Sequence, residues 1–549
     1  MGLAVALIGT LVMAVSGFLE RQYSLIQGSE GLSQTPIAGA DWVQWLHKHD
    51  LPLGLELTLF DWRVRQAAGS SGSLAPELAL VAAQESTVQS LRLRYPLGES
   101  VGLLFPRHIY GRLLRELTAE GAAAVAFDIL LPDDRPDHPL VKLPGTNAPI
   151  SSDEFFAREV AANGQVILAS LPDLPPAPRF RSVAHALGEV NSPRDKDGSA
   201  RRVRAFVDCQ FYGTQLINFA TRRGLIVENG PTHSAEKGSS NTIRLREPSN
   251  ESEWILQIAT NGTVSLPLGA ARITVPAYER KRVWHMGIVL AAMRLGLDLD
   301  RAEIGPDRIR LSGTNGVVRI IPVDAAHTLM VDWSVNTEEI PKDRKVWMEK
   351  LLKADLDRQA GKVPEDSNRF HDKLVIIGSL VKGSNLADLG PTPLAPSDFL
   401  VSTYFNVANS VLQNRFVWRL PIPAELALHL ALSLMAAWVT WRLGTLMAET
   451  AMVGLAAGYV VLASWAYLEH RLWLPLAYPL LTGLGVNHAV MLTWRLMFEQ
   501  RERRRVRSVF SKIVSPDVVR ELLGAERLGL DGSRREMTVF LPTSGGSPR

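Results

Sequence analysis

The sequence predicts an α/β extracytoplasmic domain carried on an α-helical membrane anchor of four spans. Three observations carry this reading. Apolar residues gather at the N-terminus and from Pro421 to Phe498, the middle of the chain alternates helical and extended patterns, and a run of arginines follows the last apolar segment. At 549 residues the chain exceeds what one hydrophobic core usually serves, so more than one folded unit is expected. The formal net charge of +3 is too small to argue for a nucleic-acid partner. A single cysteine, Cys209, excludes an intrachain disulfide, so a large outer domain must be held by its core alone.

The first span is placed at 1–20. Leu3 to Leu19 is 17 residues without a charge, the short end for a spanning helix. It lacks a basic leader and a small-residue cleavage site, so it reads as an uncleaved anchor rather than a signal peptide. Further spans are placed at 421–441, 444–468 and 472–497, each close to the ~20 residues that cross the hydrocarbon. Trp438, Trp441, Trp465, Trp473, Tyr478 and Trp494 lie near their ends, as interfacial aromatics should. Arg501, Arg503, Arg504, Arg505 and Arg507 mark the cytoplasmic side. Four crossings then leave 21–420 outside an inner (plasma) membrane and 498–549 in the cytoplasm, with membrane lipid as a partner. Glu425, His429, Glu449 and His488 lie within spans. Their expected role is hydrogen bonding between helices; a transporter or channel would need such groups facing one another along a path.

Between the spans, His108 to Glu120 carries Ile109, Leu113, Leu114 and Leu117 on one helical face. Gly121 ends that helix, and Ala122 to Leu131 follows as an apolar strand ending near Asp128. Helix, glycine and buried strand is the rhythm of a layered α/β fold. Gln165 to Leu171 and Lys373 to Gly378 read as further buried strands, Ile255 to Val275 as an antiparallel part, and 348–369 as a charged surface helix with a loop.

Several spacings resemble chemistry and fail on inspection. In Gly378-Ser-Leu-Val-Lys-Gly383-Ser384 the lysine precedes the second glycine, which does not make a phosphate cradle. Asp195-Lys-Asp197-Gly198 has Pro193 and Arg204 where a calcium loop needs ligands, so a tight turn is expected. His47 and His49 lack further ligands for a metal site.

Leu59-Phe-Asp61-Trp-Arg63, Glu85-Ser86, Pro106-Arg107 and Ala126-Phe-Asp128 occur in that order. Gly188-Glu-Val-Asn191, Asp195-Lys-Asp197-Gly198 with Arg202, Lys373-Leu-Val-Ile-Ile-Gly378, and Asp388 with Thr392-Pro393 follow. The series resembles the CHASE-type extracellular sensor domain, second class, found on bacterial receptors. The resemblance implies reception of an extracytoplasmic ligand of unknown chemistry, with Asp61, Arg63, Glu85, Arg107, Asp128 and Asp388 as candidate sensing residues. Gln84 departs from the acidic residue more usual in that family. Helix capping and satisfaction of backbone amides are the alternative roles of Asp61, Asp128 and Asp388.

Ser515, Pro516 and Asp517 suit the start of a helix that Gly524 can end, and Arg534 to Leu541 then reads as a strand. This stretch resembles the lead-in to class III nucleotide cyclases, adenylate before guanylate. It implies a signal-transmission role for Ser515, Pro516 and Asp517, a homodimer, and magnesium or manganese in a full-length cyclase. Thr543 stands where that family places its first metal-binding aspartate, and a polar tail follows. The expectation is a chain truncated at the start of its catalytic domain, without catalytic residues, metal site or cofactor of its own. An anchored extracytoplasmic binding protein is the other alternative.

Overall fold

The computed structural model describes residues 1–29, 43, 45–46, 50–70, 74–94, 105–142, 148–227, 242–247, 253–268, 271–365, 367–382, 388–513 and 538. At its centre is an eight-stranded sheet. Across the sheet the strands are Lys345–Trp347, Leu78–Ala83, Leu374–Ser379, Ala124–Phe127, Val166–Ser170, Ala186–Glu189, Tyr278–His285 and Phe206–Tyr212. Every neighbouring pair is parallel except the last, which is antiparallel. The continuous apolar runs of the inner strands are explained by cover on both faces. On one face lie the helices Arg107–Ala119, Ser152–Asn163 and Met348–Gln359, on the other Leu51–Ser70, Met286–Leu295 and Val401–Gln413. The α/β expectation therefore holds.

Between the membrane segments the expected elements are present within a few residues; the helix from Ser515 and the strand Arg534 to Leu541 lie outside the described residues, Thr538 apart. The helix after Pro106 runs Arg107–Ala119, Gly121 takes φ +79°, and the strand that follows is the shorter Ala124–Phe127. The antiparallel part is larger than 255–275. Thr242–Arg246 pairs with Glu253–Gln257, and Thr263–Leu268 with Ala271–Pro276, around a core of their own that includes Leu216, Leu245 and Leu266. A further meander joins Leu297–Ile304, Arg308–Gly313 and Val318–Pro322. The charged 348–369 stretch opens in the helix Met348–Gln359, whose Leu351, Leu352 and Asp355 are buried.

Among the described residues three helices are long and apolar enough to cross a membrane: Gly2–Tyr23, Ile422–Arg442 and Thr445–His470. The fourth expected span is built differently. Leu472–Trp473 is extended and pairs with Trp418–Arg419, and the π-helix Pro479–Val486 passes into the helix Asn487–Ile513. Its apolar residues are thus divided between two helical forms, and from Arg495 onward the second part turns charged. The ionisable groups of these segments bond helix to helix. His429 lies 3.1 Å from Thr10 Oγ1 and 2.8 Å from Thr482 Oγ1. His488 reaches Thr440 at 2.7 Å and Glu449 at 3.2 Å.

Candidate functional site

The carboxyl ends of parallel strands are where open α/β sheets place ligands, and here they carry a polar cluster. Ser170, Glu189 and His285 are the last residues of their strands, and Asp128 directly follows Ala124–Phe127. The Asp128 N–H donates to the Ile377 carbonyl at 2.8 Å. Beside it the helix Val401–Gln413 comes close. A Cβ on Gly378 would lie 2.9 Å from Val401 Cγ2, so glycine is what allows the approach. Tyr404 on this helix donates to the Val190 carbonyl at 3.2 Å, and its ring centroid is 5.7 Å from that of His285.

Burial dominates the electrostatics. It pushes the Asp128 carboxyl up to about 7, helped by Asp388 and opposed by a hydrogen bond with Tyr404. A protonated Asp128 can donate to Tyr404 Oη while that hydroxyl donates to Val190. Asp388 is raised too, by burial against the pull of Arg194. Glu189 is pushed up to about 8 by burial, against Arg204 and the Asn191 N–H that its Oε1 accepts at 3.0 Å. His285 is pushed down to about 3 by burial, and its Nδ1 accepts the Gly287 N–H at 3.2 Å.

From Glu189 the chain leads to the membrane helices through ion pairs. Asp195 to Gly198 forms the expected tight turn, with Gly198 at φ +82° and its N–H on the Asp195 carbonyl at 2.8 Å. Arg201, fully buried, forks onto Asp61 at 2.7 and 2.6 Å, onto Asp197 at 2.8 and 2.6 Å, and onto Asp195 at 3.1 Å. Arg202 joins Asp195 at 3.1 Å to Glu20 on the first helix at 2.9 Å. Glu20 also receives Arg419 at 3.0 Å, and Arg419 reaches Glu425 at 2.8 Å on the next membrane helix. Burial opposes the charge on Arg201 and Arg202, but their carboxylates outweigh it and hold both above the usual guanidinium range. The segment after Asp388 touches this chain of pairs where the Ala200 N–H donates to the Pro391 carbonyl at 2.9 Å. Thr392 makes the expected turn, its hydroxyl accepting the Ala395 N–H at 3.2 Å.

The candidate sensing residues thus fall into separate places. Asp128 and Asp388 share the strand-end cluster, and Asp61 belongs to the ion-pair chain. Arg63, two residues on, faces elsewhere. It is fully buried, pairs with Glu56 at 3.0 Å and donates to the Leu474 carbonyl at 2.7 Å. Arg107 is buried 3.7 Å from Asp153 and beside the Phe180 ring. Glu85 is exposed, while its neighbours Gln84, Ser86 and Thr87 all donate to Glu349. Ser515, Pro516, Asp517, Thr543, Gly383, Ser384, His47 and His49 lie outside the described residues. Sequence reading missed Glu20, Arg201, His285, Tyr404 and Arg419. Of these only Arg201 carried a signal, an arginine directly after an aspartate-rich turn.

The buried titratable groups predict a stability optimum. Asp128 and Glu189 have raised pKa values, so the folded state keeps protons that the unfolded chain releases; their contribution falls as pH rises through about 7 and about 8. His108 and His138, pushed down to about 4 by burial, and His285, down to about 3, act oppositely. Below 6.5 the unfolded chain takes up protons that the folded one refuses. The thermal midpoint of the purified chain is therefore expected to peak near pH 6.5 and decline on both sides. A steady climb from pH 6 to 9 would contradict this assignment.

The chain matches the family model of the CHASE2 domain over residues 42–439. No curated protein and no solved structure matches it. The match spans most of the chain, including the α/β sheet, the strand-end cluster, the ion pairs from Asp61 to Arg202 and from Arg419 to Glu425, and most of the membrane helix Ile422–Arg442; Glu20 lies before it. CHASE2 is a family of extracellular sensor domains, and the chain, a CHASE2 domain joined to apolar helices suited to a membrane, belongs to it.

Proposed function

We propose that this chain is an inner-membrane receptor whose domain at 21–420 meets a ligand outside the cytoplasm and passes the event to a class III adenylate cyclase output. The observation that carries the reading is the unbroken series of ion pairs from Asp61 through Arg201, Asp195, Arg202 and Glu20 to Arg419 and Glu425. It ties the domain beneath the strand-end cluster to two membrane helices. In this reading the fourth crossing is completed by the helical segment that opens in Pro479–Val486. The helix Asn487–Ile513 then leads to the cyclase-like stretch around Ser515, Pro516 and Asp517. Class III sites form between two chains, so the receptor is a homodimer, and magnesium or manganese serves its output domain. A transporter is the weaker reading, because His429 and His488 find their partners within the bundle instead of lining a path.

Topology fusions test the arrangement. Alkaline phosphatase joined after Asn414 should be active, and a fluorescent protein joined after Arg507 should fluoresce in the cytoplasm. An inactive phosphatase at Asn414 refutes the four-crossing receptor. For the output, residues 1–513 joined to an active class III catalytic domain should control cyclic AMP synthesis. Arg201→Ala in that chimera should change synthesis several-fold.

A further inference from the structure

Ser170, Glu189 and His285 end three neighbouring parallel strands and stand in register, Ser170 opposite Glu189 and Glu189 opposite His285. Residues in register on parallel strands project to one face, with neighbours about 4.8 Å apart, so the three side chains form a row. All three are 0% exposed. Each keeps a polar atom without a hydrogen-bond partner among the described residues: Ser170 Oγ, Glu189 Oε2 and His285 Nε2. Buried polar atoms are nearly always paired, and three orphans in one row leave hydrogen bonds that a polar group would satisfy.

The hydrogens decide which group. His285 Nδ1 accepts the Gly287 N–H, and burial keeps the ring neutral, so its one hydrogen sits on Nε2. Glu189 Oε1 accepts the Asn191 N–H, and with its carboxyl pushed up to about 8 the acid hydrogen sits on Oε2. Ser170 adds a hydroxyl. At neutral pH Glu189 and His285 each offer a donor to the row, and the Ser170 hydroxyl can turn its hydrogen to make a third.

We propose that the Ser170, Glu189 and His285 row binds the carboxylate of a small organic acid. This rests on the receptor reading and names its ligand class. A carboxylate can accept at each point of the row, whereas an ammonium would set donors against donors at Glu189 and His285. The groups facing Glu189 from the packed elements are Arg204, Cys209, His285 and Tyr404. Arg204 is the cation among them and offsets the incoming charge. The row is closed, so entry requires the segment after Glu189 to yield. That segment leads to Arg201 and Arg202, so binding and the ion-pair chain share one piece of backbone.

The test uses the full chain in detergent, with calorimetry and thermal shift in acetate, acetamide and methylammonium, against sodium chloride. Acetate should bind and stabilise at pH 7, and its binding should weaken above pH 8 as Glu189 ionises. Ser170→Ala, which removes one hydroxyl, should weaken acetate about tenfold. Glu189→Gln keeps a donor at the Oε2 position, so it should retain binding and abolish the loss above pH 8. Binding of methylammonium in place of acetate, binding of none of the three (a row occupied by water alone), or an unaltered pH profile in Glu189→Gln overturns the proposal. The receptor reading fails separately, on the topology fusions and the Arg201→Ala chimera, neither of which depends on acetate.

Discussion

Glu56→Ala is expected to destabilise the chain by about 3–5 kcal/mol, because it removes one partner of a buried charge pair and orphans several donors at once. The Glu56 carboxylate accepts four N–H groups: Arg63 Nη2 at 3.0 Å, Trp473 Nε1 at 2.9 Å, Leu476 N at 2.6 Å and Ala477 N at 2.7 Å. Three of these come from the segment linking the membrane helices, so Glu56 fastens Leu51–Ser70 to the anchor. Around it Phe60 packs against Trp473 and Tyr467, with ring centroids 4.7 and 5.6 Å apart. Burial pulls the Arg63 pKa down while Glu56 opposes it, so deleting Glu56 leaves a guanidinium with burial unopposed by its main counter-charge. Equilibrium unfolding of the detergent-solubilised chain measures the loss. A deficit under about 1 kcal/mol, the scale of an exposed pair, would show that this contact does not hold the domain to the anchor.

How much of this could be read in advance depends on range. The helix Arg107–Ala119, its terminating Gly121 and the buried strand after it are local patterns, and periodicity with glycine punctuation exposes them. The insertion of Leu374–Ser379 between Leu78–Ala83 and Ala124–Phe127 is set by contacts hundreds of residues apart, and nothing local encodes it. The places of the candidate residues are set at similar range. Asp61 and Arg63 sit two residues apart in one motif, but on a helix that spacing turns side chains to nearly opposite faces. Asp61 therefore meets Arg201 while Arg63 meets Glu56. His285 and Tyr404 sit beside apolar runs that read as core, and only the strand ends show them next to Asp128 and Glu189. Asp128 and Asp388 entered through the family resemblance, which gives their order in the chain and not the place they share at the strand ends. The ion pairs of Glu20 and Arg419 join positions almost 400 residues apart, a distance at which charge patterning carries no signal.

Arg201→Ala should be the most damaging single change in the ion-pair chain, about 3 kcal/mol, because it takes the counter-charge from the part-buried Asp61 and leaves Asp195 with Arg202 alone. Arg201 is 0% exposed, Asp61 14% and Asp195 8%, so both pairs lie in a medium that screens weakly. Asp197, at 43%, contributes least because solvent already screens it. Arg201→Lys keeps the charge but loses the planar fork that serves three carboxylates together, and should recover only part of the loss. Acid gives the sign check. In the native chain burial raises the Asp197 pKa, but Arg201 outweighs it and leaves the group below its ordinary 3.8, so its stabilisation is present above that value and lost below it. Without Arg201 the burial remains and the opposing charge is gone. Asp61 and its neighbours then take up protons at higher pH, which relieves their repulsion. The deficit of Arg201→Ala should accordingly shrink as pH falls toward 4, whereas a packing defect would be indifferent to acid. A double-mutant cycle with Asp61→Asn should give a coupling of about 1–3 kcal/mol at pH 7. Coupling near zero would mean that the pair holds neither the helix Leu51–Ser70 nor the route from Glu189 to the membrane.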